Sequence, residues 1–158
     1  MIAVYPGSFD PITCGHLDII ERSCRLFDTV YVAVLQNSSK TPLFSVEERK
    51  EMIERVTSHF GNVKVADSDG LLVDFAKSVG AQIIVKGLRA VSDFEYEFQM
   101  ALINRKLEEE IETMFLMTSA QNQYLSSSIV KNIAAYGSNL DGLVPPEIMQ
   151  DIYDKLKR

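Results

Sequence analysis

The 158-residue sequence predicts an α/β protein built on a doubly wound, five-stranded parallel sheet with helices on both faces. Three observations support this. Short β-branched runs alternate with amphipathic stretches along the chain, which is the pattern of βαβ units. The runs from Val30 to Leu35 and from Ile83 to Val85 are apolar at nearly every position, as expected of strands covered on both sides. With 46% apolar residues, eight glycines and five prolines, residues 1–158 have the size and composition of one globular domain, with enough core to need no staples.

The strand candidates in order are IAVY, TVYVAVL, NVKVADS, AQIIVKG and ETMFLMT. Between the first two, Leu17, Ile20, Cys24 and Phe27 recur at helical spacing, so that side of the first helix faces the core. Ser45 and Glu48 form a capping box that opens a second helix, with Ile53, Val56 and Phe60 pointing inward. LLVDFAKSVG is a short helix stopped by Gly80. SDFEYEFQMALINRKL differs from the others in having two apolar stripes, Phe94, Phe98 and Leu102 on one side and Tyr96, Met100, Ile103 and Leu107 nearly opposite. A helix in a single domain usually buries one stripe, so the second implies either a subunit interface or a helix sandwiched within the monomer. Ser126 to Tyr136 is a helix ending at Gly137, and PPEIMQDIYDKLKR closes the chain with prolines first and basic residues last. Together these elements make a Rossmann-like sheet.

Composition narrows the function. A formal charge of −6 argues against broad nucleic-acid binding, which calls for a basic face. No apolar run is long enough to span a bilayer and no signal peptide is visible, so a cytoplasmic protein is expected. Cys14 and Cys24 are too few for a disulfide framework and lack a metal-site pattern.

In open parallel sheets, ligands bind beyond the carboxyl ends of the strands. Here the first strand end supplies Ser8 and His16, the second Ser39 and Lys40, the fourth Lys86 and Arg89, and the fifth Gln121, Asn122 and Ser126 to Ser128. Cations and hydroxyls with few acids suit phosphate, with helix N-termini at His16 and at the serine run offering unpaired N–H groups. Each residue also has a plainer reading. His16 alone could be a solvent-facing or capping residue, the category to which His59 is assigned; Lys40, in QNSSKTPLF, could be a solvated charge; and SSS could be no more than a cap. Their convergence on one sheet edge favours the functional reading. The dinucleotide fingerprint, the P-loop and the G-x-S-x-G elbow are all absent. The chemistry that remains is transfer onto an already anionic phosphate, for which positioning and charge stabilisation suffice. In PGSFDPITCGHLDII, the turn brings backbone N–H groups to phosphate oxygens and Gly15 leaves room beside the helix end that presents His16.

PGSFDPITCGHLDII, VKGLRAVSDFEYEFQMALIN and YLSSSIVK together resemble the bacterial phosphopantetheine adenylyltransferases, members of the T-x-G-H nucleotidyltransferase superfamily, over nearly the whole chain. The resemblance implies transfer of AMP from ATP to 4′-phosphopantetheine in coenzyme A biosynthesis, with Mg²⁺ accompanying ATP, coenzyme A as a candidate inhibitor, and a homohexamer of two stacked trimers. It implies catalysis by His16 and Lys40, with His16 stabilising the transition state at the α-phosphate. Ser8, Lys40, Leu72 and Lys86 fall on acceptor-binding positions. Ser8, Phe9, His16, Gly87, Leu88, Arg89, Glu97, Asn122, Gln123, Tyr124, Leu125, Ser126, Ser127 and Ser128 fall on ATP-binding positions. Lys86 stands where many members have arginine, which exchanges a bidentate grip for a point charge. Leu125 replaces a frequent isoleucine, and Cys14 fills the variable motif position and is given no catalytic role, although a thiol so near the cleft is a candidate for reactivity. Two rivals are another nucleotidyltransferase, acting on nicotinamide mononucleotide or a phosphorylated polyol, and a non-catalytic nucleotide sensor. The sensor has no need of His16 and Lys40 together.

Overall fold

A computed structural model describes residues 1–36 and 39–157, with backbone alone at 91 and 92. Two residues of the segment carrying Lys40, Asn37 and Ser38, and the terminal Arg158 lie outside the described residues. Strands β1 (Ile2–Gly7), β2 (Thr29–Leu35), β3 (Val63–Ser68), β4 (Ile83–Leu88) and β5 (Glu112–Met117) pair in parallel in the order β3-β2-β1-β4-β5. The helices are α1 (Cys14–Leu26), α2 (Val46–Thr57), α3 (Leu72–Ser78), α4 (Val91–Leu107), α5 (Ser127–Ala135) and α6 (Met149–Leu156). The expected Rossmann-like architecture is present, with every expected strand.

Alternation along β1 divides the core between the two faces. Ala3 and Tyr5 join Ile19, Ile20, Met52, Ile53, Val130 and Ile152 beneath α1, α2, α5 and α6, whereas Val4 joins Val73, Ala76, Ile84 and Ile111 beneath α3. The Ser45–Glu48 capping box forms, adding about 1 kcal/mol to the start of α2. Gly80 and Gly137 end α3 and α5 with φ near +70°, where a side chain would be strained.

Three details differ from the sequence expectation. The fully buried face of α1 is Ile19, Ile20 and Ser23, with Leu17 and Cys24 only half-buried at its flanks, because the helix packs across the middle of the sheet against β2 and β4. The closing segment begins as a 3₁₀ turn at Pro146–Ile148, and the α-helix starts only at Met149. Neither stripe of α4 is buried: Phe94, Phe98 and Leu102 are exposed, as are Tyr96, Ile103 and Leu107. The sandwiched-helix alternative is therefore excluded. Phe94 and Phe98 stack on each other at 5.6 Å instead of entering the core.

The topology also determines where a ligand can enter. β1 pairs with β2 over six residues but with β4 only at Ala3↔Ile83 and Val4↔Ile84. Beyond Val4 the two central strands part, at the point where strand order reverses, and a crevice opens at their carboxyl ends.

Candidate active site

The crevice is floored by the turn after β1. Phe9 adopts φ 49°, an uncommon conformation for a residue with a side chain, and its ring is almost wholly buried, edge-on to Tyr5 at 5.4 Å and to His16 at 5.1 Å. Gly7 makes room for that ring, since a Cβ there would lie 2.9 Å from Phe9 Cζ. The turn is braced from outside: Arg49 Nη1 donates to Ser8 O at 2.8 Å, and Ser127 Oγ donates to Pro11 O at 2.8 Å. Phe9, assigned to ATP by resemblance, thus uses its side chain to support His16 and has only backbone to offer a ligand.

His16 is the third residue of α1 and takes part in its cap. Its N–H donates to Thr13 Oγ1, while the Thr13 N–H donates to His16 Nδ1 at 3.0 Å. Because Nδ1 accepts, the ring proton sits on Nε2, at the opposite edge. Burial of the ring and the nearby Arg89 guanidinium lower the imidazole from 6.5 to about 4. At neutral pH His16 is therefore an uncharged N–H donor at the cleft wall, held at its other nitrogen by the backbone.

The cleft encloses about 570 Å³. Of the predicted residues it gathers Ser8, Phe9, His16, Lys40, Lys86, Gly87, Arg89, Glu97, Asn122, Leu125, Ser126, Ser127 and Ser128. Leu72, Leu88, Gln123 and Tyr124 are not among its lining residues; Leu72 packs toward the α3 core and Tyr124 is exposed. The three serines play different parts. Ser126 caps α5 by accepting from the Ile129 N–H and Ser127 is tied to Pro11, whereas the Ser128 hydroxyl has no protein partner among the described residues.

The expectation of few acids needs correction. The lining cations Lys40, Arg49, Lys86, Arg89 and Lys131 are accompanied by Asp10, Asp93 and Glu97. Lys86 pairs with Glu97 at 3.3 Å, Arg89 with Asp93 at 3.2 Å and Lys131 with Asp10 at 2.9 Å. Arg89 also donates to Leu125 O at 2.9 Å. Five cations against three carboxylates leave the lining net positive, and cations held in place beforehand need little reorganisation when a polyanion arrives. Gly87 has a packing role: a Cβ there would meet Ile19 Cγ1 at 3.2 Å. At Gly15 a Cβ would make only ordinary contacts, so the room it leaves is not forced by the protein itself. Burial and Glu147 raise the Cys14 thiol, which is absent from the lining, and this removes the basis for reactivity there.

Sequence reasoning missed four contributors. Thr13 stands three residues before His16, the spacing of a capping box with histidine in the usual Glu position, and that signal was available. Lys131 lies four residues after Ser127 on α5, which places it on the serine face. Asp10 and Arg49 gave no signal, since the first reads as a turn residue and the second as a polar position on a helix.

A parallel sheet with phosphate-suited donors gathered at its switch point defines a nucleotide-handling α/β protein. Residues 4–133 match the cytidylyltransferase-like family model. The chain is 60% identical over 156 residues to a phosphopantetheine adenylyltransferase of Clostridium botulinum, covering 99% of this chain and 98% of the relative. A phosphopantetheine adenylyltransferase of Nostoc sp. is 60% identical over 153 residues, covering 97% and 80%. A solved nicotinic acid mononucleotide adenylyltransferase of Plasmodium falciparum superposes with a TM-score of 0.68 at 14% identity, covering 98% of this chain and 93% of its own, which shows a shared fold. The chain belongs to the phosphopantetheine adenylyltransferase family of cytidylyltransferase-like nucleotidyltransferases.

Proposed function

We propose that this chain, as a single domain of residues 1–158, transfers AMP from ATP to the phosphate of 4′-phosphopantetheine, forming dephospho-coenzyme A and pyrophosphate. The observation that carries the reading is the meeting of His16, Lys40, Lys86, Arg89 and the N-terminus of α5 in one cleft. An acceptor phosphate oxygen attacks the α-phosphorus, the bond from that phosphorus to the oxygen bridging to the β-phosphate breaks, and pyrophosphate departs. The attacking oxygen is already anionic, so no general base is required. The neutral His16 Nε2–H donates to the α-phosphate oxygens as they gain charge, at a site fixed in advance by the Thr13 backbone. Lys40 has no partner among the described residues and is free to grip the acceptor phosphate, with Lys86 lining the same cleft. Arg89 and the Ser128 hydroxyl, with the first N–H groups of α5, hold the nucleotide.

Magnesium belongs to this reading as a passenger on ATP. No group of three or more His, Cys, Asp or Glu residues suited to a metal ion gathers among the described residues, and the cleft carboxylates are engaged by cations. That fits an ion bound chiefly by triphosphate oxygens, where it would offset leaving-group charge. A cytoplasmic location belongs to the same proposal; no described helix is long and apolar enough to cross a membrane. The exposed apolar sides of α4 support self-association into the hexamer implied by kinship. Coenzyme A, which shares the acceptor's pantetheine arm, is the proposed inhibitor of the same cleft.

Incubation of the purified protein with ATP, Mg²⁺ and each candidate acceptor tests the assignment. Pyrophosphate release is expected with 4′-phosphopantetheine and not with nicotinamide mononucleotide or a phosphorylated polyol. Silence with 4′-phosphopantetheine overturns it.

A further inference from the structure

Asp10 is 5% exposed and sits in a cleft suited to polyanions, where an unspent negative charge would repel the ligand. Its charge is fully committed. Oδ2 accepts from the Leu43 N–H at 2.9 Å and from Lys131 Nζ at 2.9 Å, and Oδ1 accepts from the Phe44 N–H at 2.9 Å. Balancing Lys131 would occupy one oxygen; the two backbone bonds serve another purpose. They close the loop that leaves β2 and bears Lys40, three residues before Leu43. Asp10 also follows Phe9, whose ring touches that of His16. One buried carboxylate therefore joins the Lys40 loop, the His16 turn and α5.

Lys40 needs such a tether. It is exposed, lies on a loop and has no partner among the described residues, so its ammonium would otherwise sample many positions relative to His16. Arg49 braces the same junction from α2, donating to Ser8 O at 2.8 Å and Ser45 O at 3.2 Å, but reaches the loop only at its far end.

We propose that Asp10 is a positioning residue for Lys40, holding the 39–44 loop at the separation from His16 at which Lys40 meets the acceptor phosphate. This rests on the assignment of 4′-phosphopantetheine as acceptor.

The test is a double-mutant cycle on the full chain, using Asp10→Asn, Lys40→Ala and both together. Asp10→Asn is expected to raise KM for 4′-phosphopantetheine by about tenfold or more, the scale of a lost charged hydrogen bond, with KM for ATP moving less than about twofold. In the Lys40→Ala background the same change should move that KM by less than about twofold, because coupled residues are not additive. Hydrogen exchange at the Leu43 and Phe44 amides should accelerate in Asp10→Asn without any substrate. Asp10→Glu keeps the charge but shifts it by one methylene, and should also raise KM for the acceptor; this variant serves if Asp10→Asn does not fold. Equal effects in both Lys40 backgrounds, equal effects on both substrates, or a wild-type acceptor KM in Asp10→Glu would overturn the proposal. Failure of the wild-type protein to release pyrophosphate would instead overturn the acceptor assignment on which it rests.

Discussion

In the proposed mechanism, replacing His16 by alanine removes one neutral donor from the reacting phosphate; it also removes one acceptor from the helix cap. The first loss is of the oxyanion-donor kind, so kcat should fall by about 10²–10³, or about 3–4 kcal/mol of transition-state stabilisation. The second frees the Thr13 N–H and breaks half of the capping box, costing about 1 kcal/mol of stability and visible in a thermal melt. ATP affinity should hardly change, because Arg89, Ser128 and the start of α5 remain. The ring's protonation is also checkable. With its value moved from 6.5 to about 4, the imidazole carbon resonance of His16 should stay unshifted from pH 8 to about pH 5.5. Between pH 6.5 and 4 the unfolded imidazole binds a proton that the folded one refuses. Stability linked to this group is therefore complete above pH 6.5 and declines as pH falls to 4, by at most about 3 kcal/mol and by less because the ring opens onto a wet cleft. Pyrophosphate release gives kcat, nucleotide titration gives affinity, and NMR gives the protonation. Parallel losses in turnover and ATP affinity, or an imidazole that titrates near 6.5, would refute the role assigned to His16.

Three further outcomes are expected. Gly7→Ala places a Cβ 2.9 Å from the buried Phe9 ring, so it should lower stability by about 1–3 kcal/mol and reduce kcat by displacing the support of His16; an unchanged melt and turnover would contradict that packing. Ser127→Ala should cost about 1 kcal/mol in denaturant titration through the lost bond to Pro11, while Ser128→Ala leaves stability alone and raises KM for ATP, and a reversed pattern would exchange the two roles. Phe98→Glu charges the exposed side of α4 and should shift the proposed hexamer toward monomer in sedimentation velocity, whereas a wild-type protein that already sediments as a monomer would overturn that proposal.

The strands were legible because each is a dense apolar run, and in parallel sheets those runs are continuous. The cleft was legible to the extent that strand ends alone determine it, which brought Ser8, His16, Lys40, Lys86, Arg89 and the serine run together correctly. What local sequence could not show is how those groups engage each other. The pairs Lys86–Glu97 and Lys131–Asp10 join residues 11 and 121 positions apart, and only the folded chain reveals that the cations are balanced beforehand. The Thr13–His16 cap shows the opposite case, a local pattern with a familiar spacing and an unfamiliar partner. The two stripes of α4 were read correctly as apolar, but a periodic pattern does not say whether the covering surface comes from the same chain.

The turn at Ser8 to Thr13 is also tied to α5, through bonds that span 116 and 121 residues of chain. A ribosome releases the first strand long before it releases Ser127 and Lys131. A growing polypeptide can thus assemble its entire sheet, with Arg49, Leu43 and Phe44 already bonded to the turn that presents His16, while that turn still lacks its two ties to α5.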